Sequence, residues 1–265
     1  MNSISPRQKD IVALAQAAGR VSVDDLAARF EVSPQTIRKD LNDLCDQRLL
    51  SRVHGGAVVS SGVENLAYEA RRFIATAEKA AIGQATATLI PNGASLFVNI
   101  GTTTEEVARS LKDHEGLLVI TNNLHVATTL YPHPKIDVIV AGGPVRRSDG
   151  GVVGSAAVDM IGQFKVDFAV IGTSAIDPDG ALLDFDYREV RVSRAIIENA
   201  RHVILVADSS KLERTAPVRI GHMGCVQTFV TDHLPAGPLR ELCERSAIRV
   251  IETGAKVASI DHEGA

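Results

Sequence analysis

The stretch VSVDDLAARFEVSPQTIRKDLNDLCDQRLLSRVHGGA, residues 21–57, carries the clearest structural pattern in the chain. It contains two helix starts, at Ser22 and Ser33, and each serine can accept a hydrogen bond from the first helical turn. Pro34 follows at the first helical position, where a missing N–H group leaves no hydrogen bond unmade. With a further capped start at Ser5, the pattern predicts three short helices and a tight turn between the last two.

The third helix, predicted from Pro34 to about Asp46, has one apolar side and one polar side at 100° per residue. The polar side carries Gln35, Arg38, Lys39 and Asn42, with Thr36 at its border and Ser33 at its cap. Arg and Lys suit guanine edges and phosphates, whereas Gln and Asn suit adenine. The pattern indicates a recognition helix for the major groove of DNA, although an ordinary solvated helix has the same pattern when taken alone.

A small β-structure is predicted after the third helix. Two apolar runs, residues 49–53 and 57–59, flank the glycine turn at 54–56, which is typical of a wing beside such helices. Arg52 and His54 are candidates for contacts with the phosphate backbone. The alternative is that both are plain surface residues.

Residues 21–57, with the segments SPQTIRKDL and RVHGGA, resemble the winged helix-turn-helix signature of the DeoR family of bacterial transcriptional repressors. The resemblance implies double-stranded operator DNA as a partner. One departure stands at Lys39, where the family pattern has arginine. Lysine keeps the charge but lacks the bidentate fork of a guanidinium group.

Length and charge favour two unlike domains. The chain has 265 residues, and about 150 residues per domain is a usual size. Residues 1–59 carry 8 Lys and Arg against 7 Asp and Glu, whereas the rest carry 20 against 25. From the small residues after position 59 we predict a DNA-binding domain at 1–60, a linker at 61–75 and an effector-binding domain at 76–265.

In the larger part, apolar runs alternate with helical stretches, which predicts an α/β domain with a mostly parallel sheet. Ligands of such sheets bind beyond the carboxyl ends of the strands, where glycines, hydroxyls and free helix N–H groups suit a phosphate. The candidate ligand-binding residues there are Gly101, Thr102, Thr103, Thr104, Thr121, Asn122, Asn123, Gly142, Gly143, Asp149, Gly150, Gly151, Ser174, Glu189, Asp208 and Lys211. Lys211 could neutralise a phosphate while Asp208 or Glu189 binds hydroxyls. Alternatively, Asp208 and Lys211 only pair with each other.

The segments NIGTTTEEVA, TNN, AGG, DGG and VADSSK resemble the effector domain of the DeoR family, so the resemblance covers almost the whole chain. It implies a fold similar to ribose-5-phosphate isomerase and a role in sensing phosphorylated sugars or polyols. The longer segments TNNLHVATTL, DFDYREVR and SRAIIENARHVILVADSSK resemble the members of the family that respond to glycerol 3-phosphate, so the resemblance implies this compound as the effector. We therefore expect a repressor that releases its operator when this effector binds, acting as a homodimer or homotetramer on a palindrome.

Two other classes of function compete with this one. The first is a sugar-phosphate isomerase with a DNA-binding appendage. Ribose-5-phosphate isomerases carry a DGADE loop with a lysine beyond it, whereas this chain reads GTSAID there and has no lysine between Lys165 and Lys211. We therefore expect a binding protein and not an enzyme. The second is a dimerising α/β module without a ligand, which the polar strand ends disfavour.

Composition excludes further classes. The three cysteines are scattered, without the close pairs of a zinc site or the even number of a disulfide framework. No cofactor or metal is expected. No apolar run approaches the ~18 residues of a membrane span, which predicts a cytoplasmic protein. Aromatic residues make up only 4%, and Trp is absent, so stacking platforms for single-stranded nucleic acid are not expected.

Overall fold

The computed structural model describes residues 4–18, 20–47, 49–53, 55–59 and 68–254. Two groups of elements follow each other along the chain, the first within residues 6–59 and the second within residues 68–252. Because residues 60–67 lie outside the described part, the division at 61–75 stays a prediction. In the part that the structure describes, no helix is long and apolar enough to span a membrane.

The first group contains three helices and three short strands. They are α1 (Pro6–Ala18), β1 (Arg20–Ser22), α2 (Val23–Phe30), α3 (Pro34–Asp46), β2 (Leu50–Val53) and β3 (Gly56–Val59). The Ser22 hydroxyl accepts the amide of Asp25 at 3.1 Å, and the Ser33 hydroxyl accepts that of Thr36 at 3.2 Å. Both predicted helix starts are therefore found in the structure.

The wing is a three-stranded antiparallel sheet in the order β1-β3-β2. Strand β1 was not predicted, because three residues are too short to show a period of two. It lies directly before α2, so the wing is joined to the helices on both sides. Ile11, Leu26, Leu41 and Leu44 belong to a separate apolar core for this part of the chain.

The second group is built around a sheet of seven parallel strands. Its elements are α4 (Tyr68–Phe73), α5 (Thr76–Ala87), β4 (Ser95–Val98), α6 (Thr102–Ser110), β5 (Leu117–Thr121), α7 (Leu124–Leu130), β6 (Ile136–Val140), α8 (Ser155–Ile161), β7 (Val166–Ile171), β8 (Ala175–Ile176), β9 (Ala181–Asp184), α9 (Tyr187–Glu198), β10 (Ala200–Val206), β11 (Val218–His222), β12 (Thr228–Thr231), α10 (Pro238–Arg245) and β13 (Arg249–Glu252). The order is β13-β12-β10-β7-β4-β5-β6, as expected for a parallel α/β domain.

Successive strand residues face opposite sides of this sheet, so each side has its own apolar core. Phe97 and Phe229 lie in one core, and Leu96 and Val98 lie in the other. All four side chains are essentially inaccessible to solvent. The alternation fixes the register of the strands, and their parallel direction brings the carboxyl ends to one edge.

A smaller antiparallel sheet, β11-β9-β8, was not predicted. Its strand β8 has only two residues, and short apolar runs do not distinguish a strand from a loop. The charged segment 64–72, within the predicted linker, is expected from the sequence to be loosely helical, and residues 68–73 form helix α4. Helix α5 ends at Ala87, although the helical pattern of the sequence predicts a helix to about Ile90.

Candidate functional site

Helix α3 presents the polar face that the sequence predicts. Ile37, Leu41 and Leu44 are fully buried. The side chains of Gln35, Arg38, Lys39 and Asn42 are exposed on the other side. Four side chains of the types that read base edges are therefore exposed on one face of the helix, where DNA can contact them.

The start of α3 is held by its own side chains. The hydroxyls of Ser33 and Thr36 lie 2.9 Å apart, and Thr36 is half-buried at the border of the polar face. Asp40 is buried on the packed side and accepts a hydrogen bond of 2.6 Å from Nε of Arg7 in α1. This ion pair was not predicted, and it orients α3 relative to α1. The predicted phosphate contact His54 and the side chain of Arg52 lie outside the described part of the structure.

In the second group, the strand ends gather polar side chains, but several of their hydroxyls already have partners. The Thr104 hydroxyl donates to the carbonyls of Asn99 and Gly101, both at 2.8 Å. The Thr121 hydroxyl donates to a carbonyl of β4 at 2.6 Å. These two threonines hold the loop in shape. Thr102 and Thr103 are buried, and their hydroxyls make no hydrogen bond within the described residues.

The two asparagines after β5 differ in role. Asn123 caps α7 through its carbonyl oxygen and donates to Oε1 of Glu105 at 3.3 Å. Asn122 donates to the carbonyl of Val152 at 3.2 Å. Its Oδ1 atom is buried and has no partner among the described residues. An unpartnered buried acceptor is costly unless something donates to it, which makes Asn122 a candidate for hydroxyl recognition.

A network of carboxylates surrounds Arg146. Its guanidinium group binds Asp149 through two hydrogen bonds of 2.8 and 2.5 Å and Asp186 at 3.0 Å, and it also pairs with Glu189. Burial, and after it the charge of Asp184, raise the pKa of Glu189 to about 7, although Arg146 opposes the shift. The predicted residues Asp149 and Glu189 are thus brought together by an arginine that was not predicted.

Other predicted residues frame this network. The Ser174 hydroxyl lies 3.1 Å from Oδ2 of Asp184. A Cβ atom on Gly151 would lie 2.5 Å from Cδ1 of Ile100, and one on Gly150 would lie 3.3 Å from the His125 ring, so both sites need a small residue. Gly142 and Gly143 lie instead on an exposed turn.

A cleft of about 430 Å³ opens beside this network. Its lining residues are Arg146, Ser148, Phe185, Asp186, Tyr187 and Arg188. The Tyr187 side chain is 64% exposed at its rim. Through Arg146 and Asp186 the cleft reaches the same carboxylates from the solvent side.

The most unusual feature is a group of buried cations around Asp208. Lys79 and Lys211 are at least nine-tenths buried, and Arg214 is half-buried. Burial lowers the pKa of Lys211 to about 7 and that of Lys79 to about 8, although Asp208 attracts both. Burial also lowers the pKa of Arg214. Asp208 is the main carboxylate that faces them, with smaller contributions from Glu106 at Lys79 and from Glu213 at Arg214.

Asp208 itself is not satisfied by this group. Burial alone would raise its pKa, but Lys211 and Lys79 outweigh that effect and keep the pKa below its ordinary value. Oδ1 accepts a hydrogen bond from Ser210, whereas Oδ2 is buried without a partner among the described residues. No ion pair within 4 Å joins Asp208 to Lys211 in the described structure. The alternative that these two residues simply pair with each other is therefore not supported.

Helix α4 also contributes contacts to this part of the sensor. Tyr68 donates a hydrogen bond of 2.8 Å to Glu105, and its ring stacks on that of His125 at 5.0 Å. Arg71 lies 3.7 Å from Asp149. Lys79 of α5 donates to the carbonyls of Arg71 and Ile74, at 2.5 and 2.7 Å.

Sequence reasoning missed several of these polar residues, namely Tyr68, Arg71, Lys79, Glu105, Arg146 and Arg214. One of them left a signal. Lys79 has the same helical spacing as Ile82, Gly83 and Thr86, all of which are buried, so a lysine on that face was detectable. The loop residue Arg146 and the linker residue Arg71 left no comparable pattern.

Taken together, an exposed recognition helix with a wing and a buried polar site at the strand ends define a DNA-binding regulator with a sensing domain. A model of the DeoR-like helix-turn-helix domain matches residues 7–63, and a model of the DeoR C-terminal sensor domain matches residues 74–233. The chain belongs to the DeoR family, and it is a DNA-binding transcriptional repressor.

Curated relatives agree with this assignment. The chain is 48% identical over 229 residues to the Glycerol-3-phosphate regulon repressor of Escherichia coli, an alignment covering 86% of this chain and 91% of that protein. It is 46% identical over 250 residues to the repressor of the same name from Haemophilus influenzae, covering 94% and 98%. The family predicted from the motifs is confirmed, as is the likeness to this type of repressor.

Among solved structures, ribose 5-phosphate isomerase A from Methanocaldococcus jannaschii is similar over 52% of this chain and 55% of its own, with a TM-score of 0.39 and 14% identity.

Proposed function

We propose that the protein represses transcription from an operator and releases it when a phosphorylated polyol, glycerol 3-phosphate, fills the buried site at the strand ends. The observation that carries the proposal is the excess of buried cations, Lys79, Lys211 and Arg214, around one carboxylate. Buried charge is costly unless it is paired, and a phosphate dianion supplies the missing partner.

The strand ends also carry acceptors for hydroxyl groups. Oδ2 of Asp208 and Oδ1 of Asn122 are both buried without a donor among the described residues. A ligand that combines a phosphate with hydroxyl groups, as glycerol 3-phosphate does, would supply an anion for the cations and hydrogen-bond donors for such acceptors. A simple inorganic anion would satisfy only the cations.

Of the residues predicted from the sequence, the proposal keeps Thr102, Thr103, Asn122, Asp208 and Lys211 as direct contacts and adds Lys79 and Arg214. The other candidates act as a frame: they cap helices, close turns or bind Arg146. On the DNA side, Gln35, Arg38, Lys39 and Asn42 read bases while Ser33, Thr36, Arg52 and His54 contact phosphates.

The proposed assembly is a homodimer or homotetramer, since one recognition helix covers one half-site of a palindromic operator. Because its partner is chromosomal DNA, we place the protein in the cytoplasm. We further propose that it binds its effector without turnover. Glu189 and Lys211, with pKa values both near 7, are the groups that isomerisation would use, so turnover is worth measuring.

A panel of phosphorylated metabolites tests the proposal. The Tm of the full chain is measured with each compound, followed by operator binding in gel-shift experiments with and without the compounds that raise Tm. We expect glycerol 3-phosphate to raise Tm and weaken operator binding, whereas glycerol and inorganic phosphate do so far less. The proposal is wrong if no phosphorylated compound binds, if binding leaves operator affinity unchanged, or if the protein isomerises a sugar phosphate.

A further inference from the structure

Arg71 occupies an unusual position in the site. It belongs to α4, the segment between the two parts of the chain, yet its side chain is only 17% exposed. Its charge contributes, after burial, to the lowered pKa values of Lys79, Lys211 and Arg214. Arg71 is therefore a fourth cation facing the proposed phosphate position.

Asp149, the ion-pair partner of Arg71, has other hydrogen-bond donors. Asp149 already accepts two hydrogen bonds from Arg146 and one of 3.2 Å from the amide of Gly151. The contact from Arg71 to Asp149 is longer, at 3.7 Å, which is an ion pair without a hydrogen bond. Nε of Arg71 is buried and has no partner among the described residues. An arginine with a loose partner and a free buried donor is placed to bind something else.

We infer that Arg71 is an effector-binding residue, and that the phosphate of the effector competes with Asp149 for its guanidinium group. The inference rests on the proposed function. It makes α4 part of the sensor site, so that occupancy of the site changes the contacts of the segment that leads to the DNA-binding part.

Two contacts of α4 would carry this change onward. The carbonyls of Arg71 and Ile74 are held by Lys79, which is itself one of the proposed phosphate ligands. At the end of the helix, the ammonium group of Lys9 in α1 lies 5.1 Å from the centre of the Phe73 ring. A shift of α4 would therefore change the contact between Phe73 and Lys9 of α1. Helix α1 also carries Arg7, which is paired with Asp40 of the recognition helix. Helix α4 is therefore an element whose position can be changed from the effector site and from the DNA-binding part.

Substitutions at the two competing residues test the inference, because they are expected to act in opposite directions. Arg71→Gln should weaken glycerol 3-phosphate binding by roughly 10- to 100-fold, the usual effect of losing a charge-assisted hydrogen bond. It should also bring the ratio of operator affinities with and without effector close to 1. Asp149→Asn keeps the size and one acceptor oxygen but removes the competing charge, so it should tighten effector binding.

Arg191→Gln removes one exposed charge from α9 and serves as the matched control, with effector and operator affinities expected to stay as in the wild type. If Arg71 only supports the fold, both Arg71→Gln and Asp149→Asn will weaken effector binding and lower Tm, which would overturn the inference. An Arg71→Gln variant that still responds fully to effector would overturn it as well.

Two further measurements keep the outcome clear. If Arg71→Gln does not fold, Arg71→Lys, which keeps the charge but loses the fork, should bind effector less tightly than wild type while Asp149→Asn still binds more tightly. The wild type separates this inference from the proposed function. A wild type that ignores every phosphorylated compound contradicts the function, whereas a responsive wild type with equally responsive Arg71 variants contradicts only the role of Arg71.

Discussion

Tyr68 of α4 donates a 2.8 Å hydrogen bond to the buried carboxylate of Glu105 in α6. This bond attaches α4, which follows the DNA-binding part in the chain, to the helix that follows strand β4. The Tyr68 ring adds a parallel stack on His125, with an interplanar angle of 8°. Glu105 has Asn123 as a further donor, and the whole arrangement lies beside the proposed effector site.

Tyr68→Phe should destabilise the protein by about 1–3 kcal/mol, because Oε2 of Glu105 loses its donor while remaining buried. The ring stack on His125 stays, so the loss reports the hydroxyl alone. Differential scanning calorimetry of the full chain measures the change. Tyr131→Phe is the control, since the Tyr131 side chain is 69% exposed, and it should leave Tm unchanged. Equal Tm values for both variants would show that the hydrogen bond does not contribute.

Arg38→Ala should weaken operator binding by at least roughly tenfold, since a base contact of arginine contributes about 1–3 kcal/mol. Arg38 is exposed, so Tm and the Tm increase caused by glycerol 3-phosphate should stay as in the wild type. Gel-shift titrations at fixed salt measure the affinity. Arg245→Ala, at an exposed site on α10, controls for the loss of one positive charge. A loss of effector response together with operator binding would mean that Arg38 supports the fold.

Effector binding should take up protons near pH 8. Burial lowers the pKa values of Lys211 and Lys79 to about 7 and 8, so both lysines are partly neutral there in the free protein. A bound phosphate favours their charged forms and raises both pKa values. The complex therefore holds more protons than the free protein, and affinity falls as pH rises, by up to about tenfold per pH unit for each proton taken up.

Calorimetric titrations at pH 8 in buffers with different heats of ionisation measure this uptake directly. Lys211→Met should reduce it, whereas Lys112→Met, at an exposed site on the turn after α6, should not. Asp208, Arg71, Arg214 and Glu106 are the other charged groups that face these lysines. Binding heats that do not depend on the buffer would contradict the prediction.

Gly83→Ala should destabilise the sensor domain, although alanine normally favours a helix over glycine. A Cβ atom at this position in α5 would lie 2.7 Å from backbone atoms of Glu106 in α6, so the two helices would have to separate. We expect a cost of about 1–3 kcal/mol, as for other overpacked sites. Gly162→Ala is the matched control.

Gly162 has a φ of −61°, and a Cβ atom there would meet only ordinary contacts at 3.5 Å, so alanine should be neutral or slightly stabilising. Thermal unfolding of both variants measures the difference. If Gly83→Ala is as stable as Gly162→Ala, the close approach of α5 and α6 does not limit the size of residue 83.

The parts of the fold that could be predicted are those that local chemistry determines. Ser22 and Ser33 cap their helices within three residues of sequence, and the two faces of α3 follow from the helical period alone. The strand-end positions were predictable for a similar reason, because parallel strands bring their carboxyl ends to one edge whatever the details of the loops. These predictions needed no knowledge of contacts between distant residues.

The cations of the site depend on such contacts and could not be predicted in the same way. Lys79, Arg146 and Arg214 reach the site from α5, from the loop after β6 and from the loop after β10. Lys79 has a local signal, its place on the buried face of α5, but neighbouring residues do not indicate which groups these three cations meet. Asp208 and Lys211 were predicted because they follow a strand directly. That Asp208 would keep a free buried oxygen depends on the packing around it and has no sequence signal.

Helix α4 also sets where a working sensor must begin. The sensor-domain model of the family starts at residue 74, one residue after this helix ends. A protein cut there would keep every strand of the seven-stranded sheet and would still lack Tyr68 and Arg71. Glu105 would lose its nearest hydrogen-bond donor, and the proposed effector site would lack Arg71. Anyone who grafts this sensor onto another DNA-binding unit should therefore carry the six residues of α4 with it.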